Sequence, residues 1–559
     1  MINISYKLNN RIIKTNKSDE NIDIIIKEDN NRFSLSVVAK NDIELISATK
    51  QLSISANRAS KYFLNGYQSW TDTVEASFYK IEKISKRGYL YYRKKDVSSG
   101  LKDPLNKKFA FDRYGDLFIY NYSRYRLHGY DIFYIKGKNE FFSYNLNYKN
   151  AFLIYELIKY NKKINIISNI KNYKISKGDT FKLFDYMYFN SYDEGIKSFN
   201  NYFNIENKNK IFGYTSWYNY YQNINEGIIT RDLEALDNRF NLFQIDDGYE
   251  TFVGDWLDID KNKFPNGLYE IVNKIHNRGY KAGIWLAPFV AEEKSKLFQE
   301  RKDLFKKDKK GNPIKCGGNW SGFYVLDILN PDAVKYIKEC LEYYINLGFD
   351  FFKLDFLYSI TLPNYDSYTK AMITDYGYQL LRDILKDKMI LGCGAYIFSS
   401  YQKFDYLRVG PDVSLKFDDE FFMKFAHRER ISTKITLQNT IYRSIFNNHL
   451  FLNDPDVFLL RDDNISLNEK QKEALLVINA LFGSVLMTSD NIKIYDKIKN
   501  ELLNKAFEIF NNAKDISFEK QGKNILIKYD LNNKENIIEY NTNKGGLKWI
   551  KQAWFLVIK

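Results

Sequence analysis

The chain has 559 residues, which is more than one ordinary domain holds and predicts roughly two to four domains. Hydrophobic residues make up 45% and charged residues 27%, a globular composition that excludes a largely disordered chain. The 83 Lys and Arg residues against 69 Asp and Glu residues give a net charge of +14, but no basic run is dense enough to follow a nucleic-acid backbone.

Other classes of protein are disfavoured because the sequence lacks the patterns that characterise them. No apolar stretch of about 18 residues occurs, so we predict no membrane-spanning segment. The first residues contain neither an apolar core nor a small-residue cleavage site, which predicts a cytoplasmic protein. The cysteines and histidines are few and scattered and match no ligand spacing, so we expect no metal and no other cofactor.

Residues 1–191 contain short β-branched and aromatic runs separated by Asn, Asp and Gly. This pattern is typical of antiparallel strands joined by turns, and it predicts an N-terminal β-sandwich. A helix from about residue 192 to 203 forms the linker segment 192–208 to the next domain. The runs predicted as strands are 33–38, 44–48, 108–111, 117–120, 131–134, 140–145, 151–158 and 164–170.

Between residues 209 and 490, short apolar runs alternate with helical stretches. Continuous apolar runs suit strands buried on both faces, and a series of eight strand–helix units predicts a (β/α)8 TIM barrel. The long interval between the third and fourth strands predicts inserted loops above the active face. The predicted barrel strands are 211–217, 241–245, 282–286, 349–354, 389–391, 406–409, 450–452 and 485–488.

The last segment, 491–559, returns to short strand-like runs, at 515–519, 524–529 and 536–540. They predict a small C-terminal antiparallel β domain. The predicted fold class is therefore α/β plus β, with a central barrel between two β domains.

Polar side chains follow several predicted barrel strands at their C-terminal ends, where a TIM barrel places its active site. Carboxylates follow strands two, four, six, seven and eight, and large aromatic side chains follow strands one and three. Carboxylates bind vicinal hydroxyls and aromatic rings cover the apolar face of a sugar, so the pattern predicts a saccharide substrate. The candidate residues are Asp246, Asp247, Asp355, Asp412, Trp217, Tyr218 and Trp285.

Two of these acids have surroundings that suit different tasks. Lys353 lies two residues before Asp355, so both side chains point into the barrel mouth, where the cation is expected to keep the carboxylate ionised. Asp412 follows a Gly-Pro turn, and a carboxyl near an ionised partner and an apolar wall has a raised pKa. The first environment suits a nucleophile and the second an acid/base, and a separation of about 5–5.5 Å would give retaining glycoside hydrolysis.

Four motifs occur in order: GYQSW at 66–70, QIDDGY at 244–249, KLDF at 353–356 and RVGPD at 408–412. Together they resemble the retaining α-galactosidases of glycoside hydrolase family 36, whose three-domain plan agrees with the boundaries above. The resemblance implies that Asp355 is the nucleophile, that Asp412 is the acid/base, and that two acids bind the 4- and 6-hydroxyls of galactose. The substrate-binding residues that it implies are Asp246, Asp247, Trp217, Trp285, Lys353, Cys393, Arg408 and Trp70.

By the same resemblance, the protein is an exo-acting α-galactosidase that hydrolyses small galactosides such as melibiose or raffinose by double displacement. The family also includes α-N-acetylgalactosaminidases and transglycosylases. Because the stretch around Cys393 departs from the motif of many long bacterial members, a hydroxyl and an N-acetyl group both stay open at the sugar 2-position. Assembly into a homo-oligomer is implied by resemblance alone.

Each candidate also has a structural alternative. Lys353 and Asp355 could form a plain ion pair, Asp412 could cap a helix, and the aromatic residues could be core residues. We assign Asp454 and Asp456 to structural roles at the barrel rim. For the whole protein, the alternative of a different class is a carbohydrate- or nucleic-acid-binding protein without turnover, although strand-end acids would repel phosphates.

Overall fold

The computed structural model describes residues 1–82, 116, 119–206, 209–418 and 429–551. The predicted strand 108–111 and the first two residues of the predicted strand 117–120 lie outside the described residues. In the described part of the chain, no helix is long and apolar enough to span a bilayer.

Two seven-stranded antiparallel sheets form the N-terminal sandwich. Their inner faces meet, and the rings of Phe133 and Tyr155 stack there at 5.4 Å between centroids. The first sheet contains, in spatial order, Arg11–Thr15, Ile2–Leu8, Ile43–Ser55, Lys163–Ser168, Leu153–Ile158 and Arg126–Tyr130, with Tyr173–Ile175 paired to Ile43–Ser55. The second contains Ile22–Asp29, Arg32–Ala39, Thr180–Phe189, Phe141–Asn145, Ile132–Lys136, Lys61–Leu64 and Val74–Ser77.

The predicted central barrel is confirmed as a nine-stranded parallel sheet. The two edge strands of this sheet come from one short segment of the chain, residues 452–458. Leu452–Asp454 pairs with the sixth strand, and Val457–Phe458 pairs with the eighth. The barrel strands in chain order are Ile211–Thr215, Leu242–Ile245, Lys281–Leu286, Phe351–Leu354, Met389–Gly392, Tyr406–Arg408, the pair Leu452–Asp454 and Val457–Phe458, and Val485–Thr488.

The seventh strand is predicted too early, at 450–452, and the structure has it at Leu452–Asp454 and Val457–Phe458. Pro455 interrupts it, since proline has no N–H to donate to a strand ladder. The first strand is also shorter than predicted, because Trp217 begins a helical turn.

The helices are Tyr192–Tyr202, Trp217–Tyr220, Glu226–Ala235, Tyr269–Asn277, Lys296–Glu300, Pro331–Asn346, Lys370–Leu385, Thr433–Tyr442, Glu469–Phe482 and Lys497–Asn512. Most begin at a side chain that caps them. At the helix Pro331–Asn346, the Asn330 side chain accepts a hydrogen bond from the Asp332 amide, while proline occupies the first turn.

Two further sheets occur in the described part of the chain. A three-stranded antiparallel sheet, in the order Val290–Glu292, Phe323–Val325, Lys315–Gly317, is inserted between the third and fourth barrel strands, where the long interval predicted an insertion. The helix Lys497–Asn512 precedes a four-stranded sheet made of Lys514–Gln521, Asn524–Leu531, Lys534–Asn541 and Leu547–Lys551.

Candidate active site

The first acid at the barrel mouth is Asp246, directly after the second strand. Its Oδ2 accepts hydrogen bonds from Lys353 Nζ at 2.8 Å, from Gln244 Nε2 at 2.6 Å and from Thr215 Oγ1 at 3.1 Å. Burial alone would lower the pKa of Lys353, but Asp246, with smaller contributions from Cys393 and Asp355, raises it, and the balance leaves the pKa of the lysine above its usual value. Asp246 and Lys353 therefore form a buried ion pair.

This pairing differs from the one expected from sequence, which coupled Lys353 to Asp355. Side chains from alternate strands of a TIM barrel fill the same layer. Lys353 on the fourth strand therefore meets Asp246 after the second strand, at 2.8 Å. The spacing of two residues within one strand does not determine which neighbour a side chain reaches across the barrel.

Asp355 follows the fourth strand and is 8% exposed. Its Oδ1 accepts the Phe356 backbone N–H at 2.7 Å, and its Oδ2 accepts the Trp285 indole N–H at 3.2 Å. Phe356 has a φ of 55°, a left-handed conformation that is uncommon for a bulky residue. This turn allows the Phe356 amide to point back at the carboxylate, so two N–H donors fix the orientation of Asp355.

Asp412 lies on the loop after the sixth strand, and 30% of its side chain is exposed. Burial raises the pKa of Asp412, the negative charge of Asp355 raises it further, and the Arg408 guanidinium opposes both. Arg408 Nη1 donates to Asp412 Oδ1 at 3.1 Å. The Asp355 charge thus adds to burial in favouring the protonated form of Asp412.

Arg408 joins Asp412 to the seventh strand. Its guanidinium lies 2.8 Å from Asp454 Oδ2 and 2.9 Å from Asp456 Oδ1. Asp456 also accepts hydrogen bonds from the Tyr218 hydroxyl and from the Val413 amide, the latter at 2.7 Å. Burial raises the pKa of Asp456 to about 7 against the opposing charge of Arg408. The rim acids therefore hold the guanidinium and the backbone beside Asp412.

Asp247 accepts hydrogen bonds from two side chains that do not lie at strand ends and were not among the predicted site residues. Gln222 Nε2 donates to its Oδ1 at 3.0 Å, and Trp320 Nε1 donates to its Oδ2 at 2.9 Å. Burial raises the pKa of Asp247, and burial together with the Asp247 charge raises the pKa of Glu250 well above its usual range. Asp247 and Glu250 thus form a buried pair of acids in which the charge of one acts on the pKa of the other.

Trp70 reaches the barrel from the sandwich, on the segment between Lys61–Leu64 and Val74–Ser77. Next to it, the Ser69 amide donates to the Ala395 carbonyl at 2.8 Å. The Trp70 ring lies 5.7 Å from the Phe356 ring and 5.4 Å from the Tyr358 ring. A Cβ at Gly394 would lie 3.1 Å from Trp70 Cζ2, so a side chain there would displace the indole. Trp70 of the same chain therefore lies beside the residues that follow Asp355.

The remaining candidates occupy different positions around the mouth. Cys393 is fully buried, and burial raises the pKa of its thiol well above the usual range, with Asp355 adding to the effect. Tyr218 is buried and donates its hydroxyl to Asp456, whereas Trp217 is half-buried and packs edge-to-face on Tyr221 at 5.1 Å. Among the described residues, no group of three or more His, Cys, Asp or Glu side chains could hold a metal ion.

Residues 200–388 match the Melibiase family model. Among curated proteins, the α-xylosidase XylQ of Lactiplantibacillus pentosus is 37% identical over 113 residues, which are 20% of this chain and 14% of that protein. The α-galactosidase 1 of Pediococcus pentosaceus is 29% identical over 144 residues, which are 23% of this chain and 19% of that protein. The matched stretches thus span less than a fifth of these relatives.

Solved structures resemble the chain over nearly its whole length. The α-galactosidase from Thermus thermophilus, in complex with p-nitrophenyl α-D-galactopyranoside, has a TM-score of 0.67 at 20% identity and covers 95% of this chain and 98% of that chain. The α-galactosidase AgaA from Geobacillus stearothermophilus has a TM-score of 0.62 at 11% identity and covers 91% of this chain and 71% of that chain. At these identities the likeness is one of fold.

Proposed function

We propose that this chain, whose residues 200–388 match the Melibiase family model, is a glycoside hydrolase that removes terminal α-linked galactose from small galactosides. The observation that carries the proposal is the contrast between two acids at one barrel mouth. N–H donors hold the Asp355 carboxylate, while burial and the Asp355 charge raise the pKa of Asp412. A nucleophile and a proton donor are the two groups that retaining glycoside hydrolysis needs.

In the proposed first step, an oxygen of Asp355 attacks the anomeric carbon while Asp412 gives its proton to the leaving oxygen. The pKa of Asp412, raised by burial, suits this proton transfer. As the glycosyl–enzyme bond forms, Asp355 loses its negative charge. The pKa of Asp412 then falls, because the charge that helped to raise it has been neutralised.

That fall in pKa prepares the second step. Asp412 takes a proton from water, the water attacks the anomeric carbon, and Asp355 leaves as a carboxylate. Arg408, at 3.1 Å from Asp412, stabilises the ionised form that acts as the base. Two displacements retain the configuration at the anomeric carbon.

The sugar is proposed to lie between the buried acids and the aromatic side chains. Asp246 and Asp247 would accept hydrogen bonds from its hydroxyls, Lys353 and Arg408 would donate to it, and Trp217, Trp285 and Trp70 would cover its apolar faces. Tyr218 and Cys393 are the remaining residues that we propose bind the sugar. The galactoside complex of the Thermus thermophilus enzyme supports a saccharide substrate.

The proposal also includes four features beyond the activity itself. They are the retaining mechanism, a cytoplasmic location, assembly into a homo-oligomer, and the division into a sandwich at 1–191, a linker at 192–208, a barrel at 209–490 and a C-terminal domain at 491–559. The α-N-acetylgalactosaminidase alternative is less favoured, because the two solved structures described above, each covering more than 90% of this chain, are α-galactosidases.

The test is a panel of p-nitrophenyl α-glycosides offered to the purified chain: galactoside, N-acetylgalactosaminide, xyloside and glucoside. We expect the highest kcat/KM for the galactoside. A higher value for the N-acetylgalactosaminide or the xyloside would reassign the substrate, and binding of galactose without release of nitrophenol would contradict an enzyme.

A further inference from the structure

The inserted sheet between the third and fourth barrel strands ends in a tight turn above the site. The turn joins Lys315–Gly317 to Phe323–Val325, and Trp320 lies in it with a φ of 54°. A left-handed backbone is uncommon for so large a residue, and such strain persists where the surroundings enforce it. Trp320 is therefore held in its position by the rest of the turn.

The neighbouring residue shows how the turn is held. Ser321 donates both its backbone N–H, at 3.1 Å, and its hydroxyl, at 2.5 Å, to Glu292 Oε2. The Ser321 hydroxyl oxygen also accepts the Lys294 amide at 3.0 Å. These contacts tie the turn to the first strand of the inserted sheet, Val290–Glu292, and to the loop that follows it.

From this position the indole contacts both halves of the site. Its N–H donates to Asp247 Oδ2 at 2.9 Å. Its ring lies 4.8 Å from the Phe356 ring and 6.2 Å from the Trp285 ring. Phe356 and Trp285 are the two residues whose N–H groups hold Asp355, so Trp320 lies beside the proposed nucleophile as well as beside Asp247.

We propose that Trp320 is a substrate-binding residue: its ring forms a wall of the sugar site, and its N–H holds the hydroxyl-binding Asp247 carboxylate in a fixed orientation. The inference rests on the proposed function, because it takes the ligand to be a terminal galactosyl group. It adds a residue supplied by the inserted sheet to a site otherwise built from strand ends and from the Trp70 segment. The side chain is half-buried, which leaves part of its ring available to a ligand.

The test compares Trp320→Phe, which keeps a ring and loses the N–H, with Trp549→Phe. Trp549 is a matched control because its indole N–H also donates to a carboxylate, Glu473 Oε1 at 2.8 Å, from a strand of the C-terminal sheet. KM, kcat and the inhibition constant of free galactose are measured on p-nitrophenyl α-galactoside, with kcat/KM followed from about pH 4 to 9. Trp320→Tyr serves in the same way if the Phe variant does not fold.

For Trp320→Phe we expect KM and the galactose inhibition constant to rise about tenfold, which is about 1.4 kcal/mol, with a smaller change in kcat. The indole hydrogen bond lowers the pKa of Asp247, so its loss should move the acidic limb of kcat/KM to higher pH. The other ionisable groups near Asp247 are Asp246 and Glu250, with Lys353 paired to Asp246 and Lys263 donating to the Gly248 carbonyl, and they are the same in both variants.

Trp549→Phe should match the wild type in all four measurements. If Trp320→Phe and Trp549→Phe have the same kinetics and the same pH profile, the inference is overturned. The α-galactosidase proposal would stay intact in that case. If the wild type shows no turnover, calorimetric titration with galactose gives the same comparison. Galactose binding that is equal in the wild type and Trp320→Phe, or absent from both, would overturn the inference as well.

Discussion

Each acid of the site takes its chemical character from its immediate neighbours. Asp246 is neutralised by a buried lysine, Asp355 is held by two N–H donors, and Asp412 is influenced by Asp355 and Arg408 in opposite directions. One residue type thus has three different environments at one barrel mouth. The proposed reaction requires Asp412 to hold a proton, and burial and the Asp355 charge both favour that form.

Replacing Asp412 by Ala should reveal its role through the leaving group. The variant has no group to protonate the departing oxygen, so kcat/KM for raffinose should fall roughly a hundredfold or more. An activated 2,4-dinitrophenyl α-galactoside leaves without protonation and should lose much less in the glycosylation step. Stopped assays with the two substrates give the comparison, and equal losses on both would show that Asp412 is not the proton donor.

The types of residue at the site could be predicted from strand ends, but their partners could not. The position of Lys353 in the fourth strand predicts that its side chain faces the barrel mouth. Its partner there is Asp246, which follows a different strand, the second. Trp320 gave no signal because it lies in an insertion without the strand pattern. Asp454 and Asp456 were recognised as rim acids, but their contact with Arg408 depends on how the seventh strand breaks at Pro455.

At the scale of elements, one buried arginine helps to hold the segment 65–73 of the sandwich on the barrel, together with contacts to Ala395 and Asn439. Arg443 donates to the carbonyls of Gln68 and Thr71, each at 3.0 Å, and to that of Ser69. It also donates to the Val409 carbonyl at 2.6 Å, at the end of the sixth barrel strand. The same guanidinium thus connects the Trp70 segment to the strand that leads to Asp412.

Arg443→Lys should loosen that connection, because an ammonium group cannot reproduce the fixed fork of a guanidinium. We expect KM for p-nitrophenyl α-galactoside to rise several-fold and the Tm to fall by several degrees. Arg382→Lys is the matched control, since Arg382 donates to the carbonyls of Lys403, Lys386 and Lys388, and to the Asp405 carboxylate, before the starts of the fifth and sixth strands and away from their C-terminal ends. It should lower the Tm without raising KM, and equal KM values for both variants would contradict the proposed role of the segment.

At the scale of the whole molecule, the order of sandwich, barrel and C-terminal sheet could be predicted because each leaves a distinct pattern of apolar residues. Strands buried on both faces gave continuous apolar runs, and these located the barrel. Several sandwich strands were not predicted, such as Ile22–Asp29, whose burial decreases from its first residue to an exposed end. Such strands depend on pairing with a neighbour, which local composition does not report.

The packing of these parts brings side chains from distant segments to one mouth. Trp70 comes from the sandwich, Trp320 from the inserted sheet, and Asp355 and Asp412 from the barrel. The sequence separation between these segments explains why their proximity could not be predicted from local pattern. The proposed reaction depends on that proximity, since neither acid alone completes a double displacement.

The most direct test is the Asp355→Ala variant assayed on p-nitrophenyl α-galactoside with and without sodium azide. Without azide we expect hydrolysis to be abolished, because no carboxylate remains to attack the anomeric carbon. With azide, turnover should return, and nuclear magnetic resonance of the product should show β-galactosyl azide, formed with inversion. Unchanged hydrolysis in the variant, or an α-galactosyl azide product, would contradict the assignment of Asp355 as the nucleophile.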